Sequence, residues 1–271
     1  MAPQRRRLDA ELVRRKIARS REQAVEMIKD GRVYVGGFKA LKPATVVEPE
    51  VSIRVEKSAE DEWASRGAHK LLGALDAFDV DLQGLRVLDA GASTGGFTDV
   101  CLKHGAAEVL AVDVGYGQLL WRLQNDERVK VMDRTNIRNL TLELTEGPCD
   151  AMVGDLSFIS LRLVLPAIVE CMRDGAFLLP MVKPQFEVGK DRLGSGGVVR
   201  SPELRAEVTE EIAAFARTLG LSCRGVAASP LPGPSGNVEY FLWLVKDGGV
   251  THPDAEELHE MTVRAIEEGP Q

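Results

Sequence analysis

The 271-residue chain lacks any apolar run approaching the roughly 18 residues that a membrane span needs. Its opening, MAPQRRRLDAELVRRK, lacks the apolar core of a signal peptide. Its four cysteines, Cys101, Cys149, Cys171 and Cys223, lack C-x-x-C pairing and lack a histidine at zinc spacing. They read as reduced core thiols, so a cytoplasmic location is expected, with no metal and no membrane partner. The chain also lacks both G-x-G-x-x-G and G-K-[ST], which excludes a P-loop for ATP.

Acidic charge is outnumbered at the start of the chain. Residues 1–42 hold 12 of the 34 Lys+Arg but 5 of the 41 Asp+Glu, so that stretch is +7 and the remainder −14. A basic head on an acidic body points to a polyanion as partner. The head has the pattern of a folded unit. Leu8, Leu12, Val13, Ile17 and Ala18 fall on one helical face. Ser20-Arg21-Glu22-Gln23 fits a capping box that opens a second helix over Ala24, Met27 and Ile28, ending near Gly31. VYVGG and the alternating VSIRV then predict short strands. This packing leaves Arg5, Arg6, Arg7, Arg14, Arg15, Lys16, Arg19, Arg21 and Lys29 for phosphates. Tyr34 and Phe38 are the head's aromatics, too few for single-strand stacking to dominate, so folded RNA fits better. The stretch SREQAVEMIKDGRVYVGG…LKPATVV resembles the alpha-L RNA-binding motif over about residues 6–60.

From residue 84 onward strand-like and helix-like segments alternate. The strands are RVLDAG, EVLAVDV, VKVMD, CDAMVGDL and AFLLPMVK, with SCRGVAAS and EYFLWLVK as a closing antiparallel pair. Helices are expected over 94–104, across QLLWRLQN, within 160–172, over 202–219 and over 253–268. This pattern predicts an α/β fold with a mostly parallel sheet and helices on both faces. Ligands then sit at the carboxyl ends of the strands, where Asp89, Asp113, Asp133, Asp155 and Lys183 fall.

In VLDAGASTGGFTDV, Gly91, Gly95 and Gly96 let backbone pass close to a ligand, and a helix starting near Thr94 offers free N–H groups. Asp113 lies 22 residues after Gly91, a usual distance for an acid that bonds a ribose diol. These features alone do not separate NAD from S-adenosylmethionine. Asp89 beside the loop would repel a pyrophosphate and tolerate a sulfonium with an ammonium, which favours S-adenosylmethionine. The expected cofactor residues are Asp89, Gly91, Ser93, Thr94, Gly95, Gly96, Phe97, Asp113 and Asp133.

Lys70 in SRGAHKL, Asp155 in GDLSF, Lys183 in VKPQF and Glu239 in NVEYF form a constellation suited to methylating a ribose 2′-hydroxyl. That hydroxyl is so weakly acidic that its proton must leave as the methyl arrives. A lysine can take it where burial and a second amine oppose its own charge. Lys183 is the expected base and Asp155 steers it. Lys70 supplies positive potential and Glu239 fixes an amine. Alignment of oxygen and methyl carbon roughly 3–3.5 Å apart would supply most of the rate.

The pattern DAGASTGGFTD…AVDVGYGQ…DLSFISL…VKPQFEVGK…ASPLPGPSGNVEYFLWL resembles the TlyA family, also labelled hemolysin A, along nearly the whole chain. The resemblance implies an alpha-L domain over 1–60, a linker over 61–67 around Trp63, and an FtsJ-type, Rossmann-like methyltransferase domain over 68–271. It implies S-adenosylmethionine-dependent 2′-O-methylation of cytidines in 16S and 23S ribosomal RNA, on subunits or folded RNA. It places the family's Lys-Asp-Lys-Glu tetrad on Lys70, Asp155, Lys183 and Glu239. RNA contacts are expected from Arg6, Arg7, Arg14, Arg15, Lys16, Arg19 and Arg21. Two other functions compete: a non-catalytic ribosome assembly factor, and a membrane-acting lysin.

Overall fold

The computed structural model describes residues 5–18, 20–56, 62–233 and 235–270. Arg19 and Asp61 lie outside that set, and with them the RNA contact expected of Arg19 and the first linker residue. The chain forms two compact units that divide between Glu62 and Trp63.

In the first unit, β1 (Arg6–Arg7) leads into α1 (Leu8–Arg14), followed by α2 (Arg21–Lys29). The strands β2 (Val33–Val35), β3 (Phe38–Lys39), β4 (Val46–Val47) and β5 (Ile53–Val55) complete it. β1 pairs with β4, and β2 lies between β3 and β5, all antiparallel. Leu8, Leu12, Ala24, Ile28 and Val33 are buried in one cluster, which is the inward stripe expected of the head. Ser20 Oγ accepts from the Gln23 N–H at 3.2 Å and caps α2. α1 stops earlier than the apolar pattern suggests. Lys16 takes φ +58°, and the N–H groups of Ile17 and Ala18 both return to the Leu12 carbonyl. Ile17 and Ala18 thus meet the core from a turn.

The second unit opens with α3 (Ala68–Phe78), β6 (Arg86–Ala90), α4 (Gly96–Lys103), β7 (Glu108–Val112), α5 (Trp121–Gln124) and β8 (Val129–Met132). It continues with α6 (Leu142–Thr145), β9 (Cys149–Gly154), α7 (Leu165–Glu170), β10 (Met172–Val182) and α8 (Pro184–Glu187). α9 (Pro202–Thr218), β11 (Leu221–Ala228), β12 (Tyr240–Lys246) and α10 (Ala255–Glu268) close it. The seven strands run β11-β12-β10-β9-β6-β7-β8. Six run in the same direction, and β12, set between β10 and β11, is antiparallel to both. The buried side chains divide between the two faces of the sheet, Leu88 and Leu110 to one, Val87 and Val109 to the other. Burying one such leucine stabilises the fold by about 2 kcal/mol.

β6 pairs with β7 on one side and with β9 on the other. The chain runs outward from β6 in one direction, then returns to start again at β9. A crevice forms at the carboxyl ends where such a reversal occurs. The glycine loop after β6 and Asp155 after β9 both open into it. α4 begins at Gly96, two residues later than expected, because Ser93 (φ +49°) and Gly95 (φ +98°) are left-handed and hold the loop open.

Candidate active site

Four side chains from four distant segments meet at this crevice. Lys70 rises from the first turn of α3, Asp155 follows β9, Lys183 follows β10, and Glu239 precedes β12. Lys70 Nζ lies 2.6 Å from Glu239 Oε2 and 3.5 Å from Asp155 Oδ2. Lys183 Nζ lies 2.5 Å from Asp155 Oδ1 and 3.9 Å from Glu239 Oε1. Two amine nitrogens and two carboxyl groups thus alternate around one centre. Lys70, Lys183 and Glu239 are buried. Burial opposes the charge on Lys70, but Asp155 and Glu239 outweigh it, and the Lys70 pKa is raised. Gly233 stands against Glu239 because a Cβ there would come within 2.7 Å of Glu239 Oε1.

A cavity of about 540 Å³ opens above the strand ends, lined by Gly91, Ser93, Asp113, Gln118, Asp155 and Phe158 among others. A smaller one of about 240 Å³ reaches Lys70, Thr94, Gly96, Phe97 and Lys183. Gly91, Ser93, Asp155 and Ser157 line both. The two form adjoining parts of one cleft, and Lys70, Asp155 and Lys183 of the tetrad line its smaller part. Gly91 (φ +89°) passes so close to the β9 loop that a Cβ would sit 3.1 Å from the Asp155 carbonyl. At Gly96 a Cβ would collide with Ser65 Oγ. Asp113 is oriented by the N–H groups of Ser93 (2.8 Å) and Gly115 (2.7 Å) and still faces the larger cavity.

Three expected cofactor residues stand behind the cleft. Asp89 is fully enclosed and lines neither cavity. Its position in β6 turns it under α4, where Thr98 Oγ1 donates to Oδ2 at 2.6 Å. Oδ1 has no hydrogen-bond partner among the described residues. Burial pushes the Asp89 pKa up to about 7. Its place is beneath the glycine loop, behind the residues that line the two cavities. Gly95 packs on Leu119 and Leu123, and Asp133 accepts from the Gly117 N–H at 2.8 Å. Each shapes a loop that frames the cleft.

Other residues here were not foreseen. Lys183 Nζ donates to Ser157 Oγ at 2.8 Å, and Gln185 Nε2 donates to Glu239 Oε1 at 3.3 Å. Phe158 is 91% exposed, takes φ +63°, and sets its ring 5.3 Å from that of Phe186. The DLSF and KPQF stretches carried the available signal: each extends a strand end that already bears a tetrad residue. Residues 63–67 pack onto this unit. The Ala64 N–H donates to Asp99 Oδ2 at 2.8 Å, and Lys103 Nζ lies 3.9 Å above the Trp63 ring. Asn237 ties down the glycine-rich stretch 194–197 and the residues after it: its Oδ1 accepts from the Val199 N–H and its Nδ2 donates to the Gly197 carbonyl, each at 2.9 Å.

In the first unit several of the arginines expected to be left for phosphates are engaged in ion pairs. Arg7 and Arg21 both bind Asp9, and Arg14 and Arg15 both bind Glu11. Asp9 and Glu11 are buried, so their charges must be met locally. Arg15 also donates to the Pro49 and Val51 carbonyls, each at 2.7 Å, and faces inward. Arg6 and Lys16 are exposed or nearly so.

Residues 63–246 match the FtsJ-like methyltransferase family, and residues 6–53 match the S4 domain family. The chain is 56% identical to the 16S/23S rRNA (cytidine-2′-O)-methyltransferase TlyA of Mycobacterium tuberculosis, over 97% of this chain and 98% of that one. It is 33% identical to Hemolysin A of Brachyspira hyodysenteriae, over 83% and 94%. A solved structure from Streptococcus thermophilus, which carries the hemolysin name, superposes with a TM-score of 0.75. It is 35% identical and covers 99% of this chain and 98% of its own.

Proposed function

Since the chain belongs to the TlyA family of FtsJ-like methyltransferases, we propose that it methylates cytidine ribose 2′-hydroxyls in 16S and 23S ribosomal RNA, with S-adenosylmethionine as donor. The observation that carries this reading is the convergence of Lys70, Asp155, Lys183 and Glu239 beside a glycine-floored cleft.

The cleft suits that donor. Gly91 and Gly96 keep the floor free of side chains, as their blocked Cβ positions require. Asp113 presents two oriented oxygens to a ribose diol. Asp155 and the loop from Ser93 to Phe97 would hold the amino-acid end. When bound, S-adenosylmethionine supplies an electrophilic methyl group on a sulfonium.

The chain's own residues do the rest. Lys183 takes the 2′-hydroxyl proton on Nζ. Asp155 and Ser157 hold that nitrogen from two sides, which fixes its direction toward the smaller cavity. Lys70 keeps its proton and offsets the negative charge that builds on the ribose oxygen. Glu239 anchors Lys70 and is itself held by Gln185. At the outer end, Phe158 offers an open aromatic face on which the target base stacks. The first unit, with its arginines and S4 resemblance, docks folded RNA.

The test is to map 2′-O-methylcytidines on 16S and 23S ribosomal RNA after incubation with wild-type chain or Lys183→Ala, each with S-adenosylmethionine. Wild type should add the marks and the variant should not. Equal marking by both would remove Lys183 from the chemistry, and no marking by wild type would end the reading.

A further inference from the structure

The first unit contains an arrangement that simple charge counting would misread. Asp9 is 2% exposed, in a stretch whose net charge is strongly positive. Arg7 Nε and Nη2 donate to its two oxygens at 3.1 and 2.8 Å. Arg21 Nη2 donates to the same Oδ2 at 3.0 Å. The Ala10 N–H donates to Oδ1 at 2.8 Å. One buried carboxylate thus holds two guanidinium groups from β1 and α2. Both arginine side chains keep their outer halves in solvent, at 51% and 58% exposed.

We propose that Asp9 is a positioning residue for RNA, presenting Arg7 and Arg21 as one rigid pair that takes a single backbone phosphate. This rests on the reading that the first unit binds RNA. Two neighbouring guanidinium groups repel each other and would splay apart without a shared anion. Each arginine also carries rotamer entropy that docking must otherwise remove. Asp9 meets both costs in the free protein. Arg7 spends two of its N–H donors on Asp9, and a guanidinium has five. Its remaining fork, with that of Arg21, faces outward and matches phosphate oxygens. Glu11 holds Arg14 and Arg15 in a related way, but there Arg15 is turned inward onto carbonyls, so the paired outward fork belongs to Asp9.

The proposal inverts the ordinary expectation for a nucleic-acid-binding surface. Removing an acid from a basic face should tighten RNA binding; Asp9→Asn should weaken it. Binding of the full chain to transcribed 16S ribosomal RNA, measured across a salt series, gives the answer. Asp9→Asn should bind roughly fivefold more weakly, with a log–log salt slope shallower by about 0.7–0.9, the loss of one phosphate contact. Unchanged or tighter binding overturns the proposal. The same substitution made in an Arg7→Ala/Arg21→Ala background should add no further loss. A further loss there means that Asp9 acts through folding alone, which also overturns it. If Asp9→Asn abolishes the melting transition of the first unit, Arg7→Lys/Arg21→Lys decides: it keeps both charges, removes both forks, and should weaken binding. Wild-type affinity in that variant overturns the proposal. A wild-type chain that does not bind the transcript removes the RNA-binding reading itself, and the proposal with it.

Discussion

Lys70 and Glu239 are 169 positions apart in the chain and meet at 2.6 Å, both out of solvent. The pair joins the start of α3 to the start of β12, across the face of the sheet that also carries Met181, whose sulfur lies 3.8 Å from Lys70 Nζ. It gives the site a fixed cation. Lys183 is held differently, by a carboxylate and a hydroxyl that both belong to the loop after β9. The two lysines share the carboxylates and have different surroundings, which is the physical basis for assigning them different work.

A buried pair of this kind is expected to show strong coupling in stability. Lys70→Met should cost about 3–5 kcal/mol, because Glu239 is left as a buried charge with Lys183 as its remaining, more distant cation. Lys70→Met/Glu239→Gln should recover much of that loss while remaining inactive. Denaturant unfolding of the three variants checks this. A double variant no more stable than Lys70→Met would show that the pair is not a coupled unit.

Lys183→Ala should lower single-turnover methyl transfer by about 10²–10⁴, the usual worth of a positioned general base. Lys183→Arg should be no better, since a guanidinium does not give up its proton in proteins. Recovery of the rate in the arginine variant would mean that Lys183 acts as a charge and not as a base.

Much of this was legible beforehand, for identifiable reasons. The strands reveal themselves as short apolar runs ending in acids, and the resemblance to known sequences located the tetrad. Sequence reading could not tell which way a strand-end residue points. Asp89 and Asp113 both end parallel strands, yet one is sealed beneath α4 and the other faces the cleft. Nor could it see that Asp9 and Glu11 would be buried among arginines, because burial there depends on how α1 packs on β4 and α2. Phe158 escaped for a related reason. An aromatic in an apolar stretch reads as core until its left-handed backbone is known.

The sealed Asp89 makes stability depend on pH. Its usual pKa of 3.8 rises to about 7 in the folded chain. Between those values the folded state keeps a proton that the unfolded state has lost, so stability falls as pH rises through that window. The full cost is reached above pH 7 and is at most roughly 4 kcal/mol. Asp89→Asn removes the titration while its amide oxygen still accepts from Thr98. The variant should therefore gain on wild type between pH 5 and pH 8, whatever its stability at either end. Parallel pH–stability curves for the two proteins would show that Asp89 does not carry the shift.

Phe158 is the strongest test of how the target base is held. A bulky side chain at φ +63° costs about 1–2 kcal/mol relative to a relaxed backbone, and here the ring is left in solvent against Phe186. That cost contributes nothing to the core, so a role at the mouth of the larger cavity is its physical explanation. Base stacking on an aromatic is worth about 1–3 kcal/mol, so Phe158→Ala should slow methylation of ribosomal RNA by about 5- to 150-fold. Because the ring is exposed, thermal stability should hold or rise. Phe158→Trp should restore most of the rate, while Phe158→Leu, with similar apolar bulk and no π face, should restore little. Full activity in the leucine variant would replace stacking with simple apolar contact as the way this residue meets the base.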